Sequence, residues 1–171
     1  MNKREIITKN ADQTKKLGLE MAEKILKGVQ KERIICLSGD LGAGKTTFTQ
    51  GLLEGLGAQG PFVSPTFMIM KEYQIKFPIS NFQFPNKFQL NNLKKEKNNK
   101  IVKPKFVYHI DAYRIEKEDM LELGWEEMIS EVDNVIIVEW AERIRDIVPV
   151  GAIWMEFEWK NEKERVVRLK T

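Results

Sequence analysis

Gly39-Asp40-Leu41-Gly42-Ala43-Gly44-Lys45-Thr46 decides how this chain is read, because Gly39, Gly44, Lys45 and Thr46 stand at the spacing of a phosphate loop. Glycines leave no side chain in the way, so successive backbone N–H groups can turn inward around a phosphate while the next helix adds its N-terminal partial charge. Lys45 is placed to meet the outer phosphates, and the Thr46 hydroxyl to ligate Mg²⁺. Asp40, Leu41, Gly42, Ala43, Gly44, Lys45, Thr46 and Thr47 are the residues expected to form the nucleotide cradle. The flanks agree. Arg33 to Leu37 reads as a short buried strand, and Thr46 to Leu56 has Phe48, Leu52, Leu53 and Leu56 at helical spacing, closed by Gly57. A glycine-rich turn that binds nothing would need neither the lysine, the threonine nor the ordered flanks. The expected fold is an α/β P-loop NTPase with three layers, α/β/α, and a mainly parallel central sheet with antiparallel C-terminal strands.

Outward from the loop, Lys3 to Thr8 reads as an opening strand. Asn10 followed by Gln13 reads as a helix cap ahead of Leu17, Met21, Ile25 and Leu26. That helix either covers the sheet or lays residues 12–14 beside the nucleotide base, which makes Thr14 a candidate contact. On the other side lies Val63-Ser64-Pro65-Thr66-Phe67, before a strand-like run from Met68 to Tyr73. Pro65 disfavours helix at Ser64, so the turn is either a plain loop or a switch segment presenting the Ser64 and Thr66 hydroxyls toward a γ-phosphate.

Two apolar strands end in acids. Phe106 to Asp111 runs into Ala112-Tyr113-Arg114, and Asn134 to Trp140 carries Glu139 at the end of four apolar residues. In open parallel sheets ligands bind beyond the carboxyl ends of the strands, so both acids fall on the rim of the phosphate loop. Glu139 is the better Walker B candidate for Mg²⁺, directly or through water. Asp111 is a candidate for metal, water or switch control. His109, the sole histidine, reads as a hydrogen-bonded core or rim residue. Trp140 either packs or covers the site. A helix is expected over Met120 to Ile129, and a closing hairpin over Ile153 to Trp159 and Arg165 to Leu169.

The chain has 171 residues and a formal net charge of +3. That length suits one domain with its own core, and the charge is too mild to establish a nucleic-acid partner. Cys36, alone in a predicted buried strand, can form no internal disulfide and suggests a reducing compartment. The opening residues lack an apolar targeting core and no stretch approaches membrane-spanning length, so a cytoplasmic protein without a membrane partner is expected. Gln74 to Lys105 reads as an insertion, with seven lysines against one acid between Lys87 and Lys105. Its phenylalanines, Phe77, Phe82, Phe84 and Phe88, either pin a solvated excursion or dock on a partner.

Gly39 to Thr47, Ser-Pro-Thr-Phe at Ser64 to Phe67, His-Ile-Asp-Ala-Tyr-Arg at His109 to Arg114 and Val-Glu-Trp-Ala-Glu-Arg at Val138 to Arg143 together resemble the bacterial TsaE (YjeE) family. The likeness spans residues 10–169 apart from the insertion, which departs from the family pattern. It implies an ATPase, taking ATP to ADP with Mg²⁺, that works with TsaB and TsaD on the threonylcarbamoyl modification of adenosine next to the tRNA anticodon. Residue by residue, it implies Thr46 and Glu139 as Mg²⁺ ligands, Asp111 as needed for hydrolysis, Trp140 as a functional aromatic and Thr66 as part of a switch. Lys45, Asp111 and Glu139 are then the catalytic set. Hydrolysis by positioning and charge stabilisation follows, with Arg114, Arg143 or a partner's arginine as the sources of a finger. The rival readings are a small-molecule kinase with the same loop and a non-catalytic switch that assembles partners on ATP binding. A GTPase is disfavoured by the lack of an Asn-Lys-x-Asp base-reading motif.

Overall fold

The computed structural model describes residues 4–75 and 102–170. Among these residues seven strands form one sheet: β1 (Arg4–Thr8), β2 (Ile34–Gly39), β3 (Met70–Gln74), β4 (Phe106–Asp111), β5 (Asn134–Glu139), β6 (Ile153–Trp159) and β7 (Arg165–Lys170). Their spatial order is β1-β7-β6-β2-β5-β4-β3. The middle strands β6, β2, β5 and β4 are mutually parallel. Antiparallel β3 edges one side, while β7 runs antiparallel to both β6 and β1 on the other. Of the C-terminal hairpin, therefore, β6 joins the parallel core and only β7 reverses.

Period-two alternation assigns the two faces. Ile35 and Leu37 of β2, with Val135 and Ile137 of β5, pack beneath α1 (Ala11–Leu26) and α2 (Lys45–Gly55). Cys36, Ile136 and Val138 point the other way, under α3 (Lys117–Glu122), α4 (Trp125–Ser130) and two 3-10 segments, Ala112–Arg114 and Ala141–Ile147. The result is the expected three-layer α/β/α sandwich. Burial pushes the Cys36 thiol up from 9.0 to about 12; Arg145 pulls it down and Glu142 pushes it up by less. A fully buried thiol held protonated is a core residue and not a nucleophile.

Asn10 caps α1 as expected: its side chain accepts from Gln13 N, and Gln13 Oε1 accepts from Lys9 N, both at 2.8 Å. Two expected elements differ from what forms. The helix expected over Met120 to Ile129 is two short helices, because Gly124 adopts φ +85° and the Leu123 and Gly124 amides turn back to close the first. Strand β3 begins at Met70 and not Met68, since Met68 N bonds Pro65 O at 2.8 Å and Ile69 sits at φ +65°, prolonging the turn. The insertion expected over 74–105 falls almost wholly outside the described residues. At its edges Gln74 belongs to β3, and Ile75 N bonds Lys105 O at 3.0 Å. None of the described helices is long and apolar enough to cross a membrane.

The α1–α2 crossing brings backbones into contact. A Cβ added to Gly51 would lie 1.9 Å from Lys15 O, and one added to Gly18 would lie 2.2 Å from Phe48 O. Backbone cannot swing aside as a side chain does. Gly51→Ala is therefore expected to force the helices apart and cost about 1–3 kcal/mol, read as a lower guanidinium midpoint. An unchanged midpoint would mean that α1 is free to shift along the sheet.

Candidate functional site

Strand β2 delivers the loop and α2 receives it. Gly39 leaves β2 at φ +118°, and a Cβ there would stand 1.9 Å from Phe157 O of β6, so both conformation and space require glycine. Gly44 opens α2 at φ +103°. The turn folds Lys45 back over itself: Nζ donates to Gly39 O at 2.5 Å and to Asp40 O at 2.9 Å. The same ammonium lies 3.8 Å from the centroid of the Trp140 ring. Burial lowers the Lys45 pKa from its ordinary value, opposed by the carboxylates of Glu139, Glu142, Asp111 and Asp40 in that order. It is a cation held by two carbonyls and a ring face, with no salt-bridge partner among the described residues.

The acids arrive by register. β4 and β5 are parallel with Asp111 paired to Glu139, so both carboxylates emerge side by side on the α1–α2 face. Thr46, the second residue of α2, donates its hydroxyl to Glu139 Oε2 at 2.8 Å. His109 Nε2 lies 2.7 Å from Glu139 Oε1. Asp111 Oδ2 accepts from Ser64 Oγ at 2.9 Å and from Thr66 Oγ1 at 2.5 Å, while Oδ1 accepts from Tyr113 N at 3.0 Å. Both hydroxyls of the Ser-Pro-Thr turn thus face Asp111. Trp140 follows β5 at φ +60°, a left-handed conformation unusual for a bulky residue, which swings its ring over Lys45 and to 4.9 Å from the Tyr113 ring.

These residues enclose a cavity of about 350 Å³ lined by Gly42, Gly44, Lys45, Thr46, Thr47, Ser64, Thr66, Asp111, Tyr113, Glu139, Trp140 and Leu41. Most residues expected from the sequence therefore meet in one place. Ala43 is fully buried beneath the loop, and Asp40 presents its carbonyl to Lys45. Leu41 is 86% exposed at the loop apex. Thr14 lies behind the loop: its hydroxyl pairs with Thr8 Oγ1 at 2.7 Å, and its methyl would stand 3.4 Å from a Cβ on Gly44. Sequence reading did not single out Tyr113 as a wall or the His109–Glu139 pair. For Arg165 and Arg168 it left a place near the nucleotide or a solvated one open, and Arg165 Nε donates to Gly42 O of the loop at 3.1 Å while Arg168 pairs with Glu5 and Glu158. His109 was accessible to it in principle, since it lies two residues before Asp111 and so on the same face of β4. The choice between Arg165 and Arg168 had no local signal, because only the β6–β7 pairing brings Arg165 to the loop.

The donor set fits a phosphate ligand and a cation shared with it. Lys45 and the glycine amides can hold anionic oxygens in place of the carbonyls that now occupy the ammonium. For a cation the site offers one hydroxyl, Thr46, and one carboxylate oxygen of Glu139, which now satisfy each other. Among the described residues no cluster of three His, Cys, Asp or Glu side chains could cage a metal. That suits Mg²⁺, which keeps waters and completes its shell with substrate phosphates, and does not suit a structural metal.

Comparisons with known proteins identify the family. Residues 8–167 match the family described as Threonylcarbamoyl adenosine biosynthesis protein TsaE. Three similar curated proteins, all tRNA threonylcarbamoyladenosine biosynthesis proteins TsaE, come from Haemophilus influenzae, Bacillus subtilis and Aquifex aeolicus. The first is 29% identical over 88% of this chain and 79% of its own length. The second is 35% identical over 78% and 66%. The third is 33% identical over 97% and 95%. The crystal structure of Bacillus subtilis YdiB superposes with a TM-score of 0.59 at 24% identity, covering 98% of this chain and 84% of that one, which shows the shared fold. With the family matched across nearly its whole length and its motifs gathered at one rim of the sheet, this chain belongs to the TsaE family of tRNA threonylcarbamoyladenosine biosynthesis.

Proposed function

We propose that this chain is a Mg²⁺-dependent ATPase of the cytoplasm that works with TsaB and TsaD on the threonylcarbamoyl modification of adenosine next to the tRNA anticodon. It binds ATP, releases ADP, and cycles the complex by hydrolysis, with tRNA as the substrate of the assembly. The observation that carries this reading is the meeting of Thr46 Oγ1 and Glu139 Oε2 at 2.8 Å beside the buried Lys45 ammonium. A hydroxyl and a carboxylate from different elements, side by side next to a cation held by backbone carbonyls, are what a nucleotide and its divalent ion require.

In the mechanism that follows, the amides of Asp40 to Thr47 and the Lys45 ammonium bind and orient the phosphates. Thr46 and Glu139 would hold Mg²⁺, which would neutralise charge on the phosphate oxygens. Asp111 orients the attacking water and takes up its proton, and Ser64 and Thr66, which bond its Oδ2, form the switch that holds it occupied or frees it to do so. Trp140 covers Lys45 and keeps solvent from the phosphate end. Thr14 backs the loop from behind.

Charge on the reacting phosphate needs a further cation. Neither arginine proposed for that role reaches the cavity: Arg143 donates to Ile115 O at 3.2 Å, and the Arg114 guanidinium lies 5.1 Å from the Phe67 ring centroid. Slow hydrolysis by the chain alone follows, with acceleration when TsaB, TsaD and tRNA are added. The test is steady-state phosphate release with Mg²⁺, alone and in the mixture. Equal turnover in both would count against partner gating, and phosphate delivered to a small acceptor instead of water would favour a kinase.

A further inference from the structure

His109 is buried, yet one of its nitrogens has no partner among the described residues. Its side chain is 2% exposed in the ion-pair geometry with Glu139, and Nδ1 has no hydrogen-bond partner. An ionised Glu139 carboxylate only accepts, so Nε2 carries the proton between them. For packing alone this is a poor choice. An apolar side chain would fill the same space, beside Val107 and Ile137 of the same face, without burying an unpaired polar atom.

What the imidazole does supply is a fixed donor to one oxygen of Glu139. In the parallel register His109 pairs with Ile137 and Asp111 with Glu139, so the ring reaches diagonally across to Oε1. Oε2 is left facing Thr46 Oγ1. Glu139 itself is 2% exposed, so no solvent stands ready to replace a lost donor. With both oxygens held, its carboxylate plane has one orientation.

We infer that His109 is a positioning residue: its Nε2–H fixes the Glu139 carboxylate so that Oε2 is presented, together with the Thr46 hydroxyl, to the divalent cation that accompanies the nucleotide. This rests on the Mg²⁺–ATP reading above. It assigns the histidine no contact with nucleotide and no proton transfer; it acts through Glu139. Partners that orient a ligating group in this way typically set metal affinity by about 10–100-fold.

The experiment is calorimetric titration of ADP into the full chain, first in chelator and then across a Mg²⁺ series, for the wild type, His109→Leu and His109→Gln. The leucine variant should need about 10–100-fold more Mg²⁺ to reach half of the metal-dependent gain in ADP affinity. Its metal-free ADP affinity should be unchanged. Glutamine places an amide N–H where Nε2 stands and should restore most of the loss. Should the leucine variant fail to fold, His109→Asn, too short to reach Oε1, takes its place. A wild-type Mg²⁺ requirement in the leucine or asparagine variant overturns the inference and leaves the ATPase reading standing. Equal loss of metal-free ADP affinity in both variants would also overturn it, because the histidine would then be packing alone. A wild type whose ADP affinity ignores Mg²⁺ removes the metal reading and this inference together.

Discussion

Lys45→Ala is expected to lower ATP hydrolysis by about 10²–10³-fold, the usual loss when one preorganised charge-stabilising donor is removed from a secluded site. The wild-type ammonium bonds two backbone carbonyls, Gly39 O and Asp40 O, and lies under the Trp140 ring. It is nine-tenths or more buried, so water cannot substitute for it. Those carbonyls keep the charge at the loop in the absence of ligand, and they yield it readily because a phosphate is a stronger acceptor than an amide oxygen. Phosphate release measured in the complete mixture with TsaB, TsaD and tRNA checks this. A variant that retained more than about a tenth of wild-type turnover would move the charge-stabilising role away from Lys45. The fold should survive the change, since the loop's shape rests on its glycines and on β6 and not on the lysine.

Trp125→Ala is expected to be the most damaging single truncation for stability, at about 3–5 kcal/mol. Long helices α1 and α2 cover one face of the sheet with many apolar side chains, whereas the other is covered by two helices of six residues and two 3-10 segments. On that thin layer Trp125, 1% exposed, is the largest fully buried side chain. Its indole Nε1 also donates to Ile147 O at 3.0 Å, tying α4 to the segment that follows Trp140. Removing it opens a cavity and leaves the part-buried Ile147 carbonyl without its donor. For a chain of 171 residues that predicts a melting temperature lower by roughly 6–20 °C in a thermal unfolding scan. A shift of only a degree or two would mean that Met120, Met128 and Ile144 close over the gap.

Much of this molecule was legible in its residues because the strongest signals are local. Gly39 to Thr46 must be a loop between strand and helix, since glycines at positive φ and a lysine at fixed spacing constrain only their own neighbourhood. The cap at Asn10, the buried strand ending in Glu139 and the strand ending in Asp111 are likewise decided within a few residues. Helix breakage at Gly124 escaped for the opposite reason: its apolar spacing alone suits one helix, and only the turn's own closing hydrogen bonds select two.

What no local pattern could decide is which side chains meet. The sequence by itself determined the phosphate loop, the two strand-end acids and the α/β class, because these follow from spacing and period. Only the tertiary structure decided that Thr46 binds Glu139, that Ser64 and Thr66 close on Asp111, and that His109 takes the other oxygen of Glu139. It also decided that Trp140 lies over Lys45, and that Arg165, distant in the chain, touches the loop while Arg114 and Arg143 do not line the cavity. The physical reason is register. Parallel pairing sets Asp111 against Glu139 and places His109 one diagonal step away, and a slip of β4 by one residue would turn His109 and Asp111 to the face opposite Glu139.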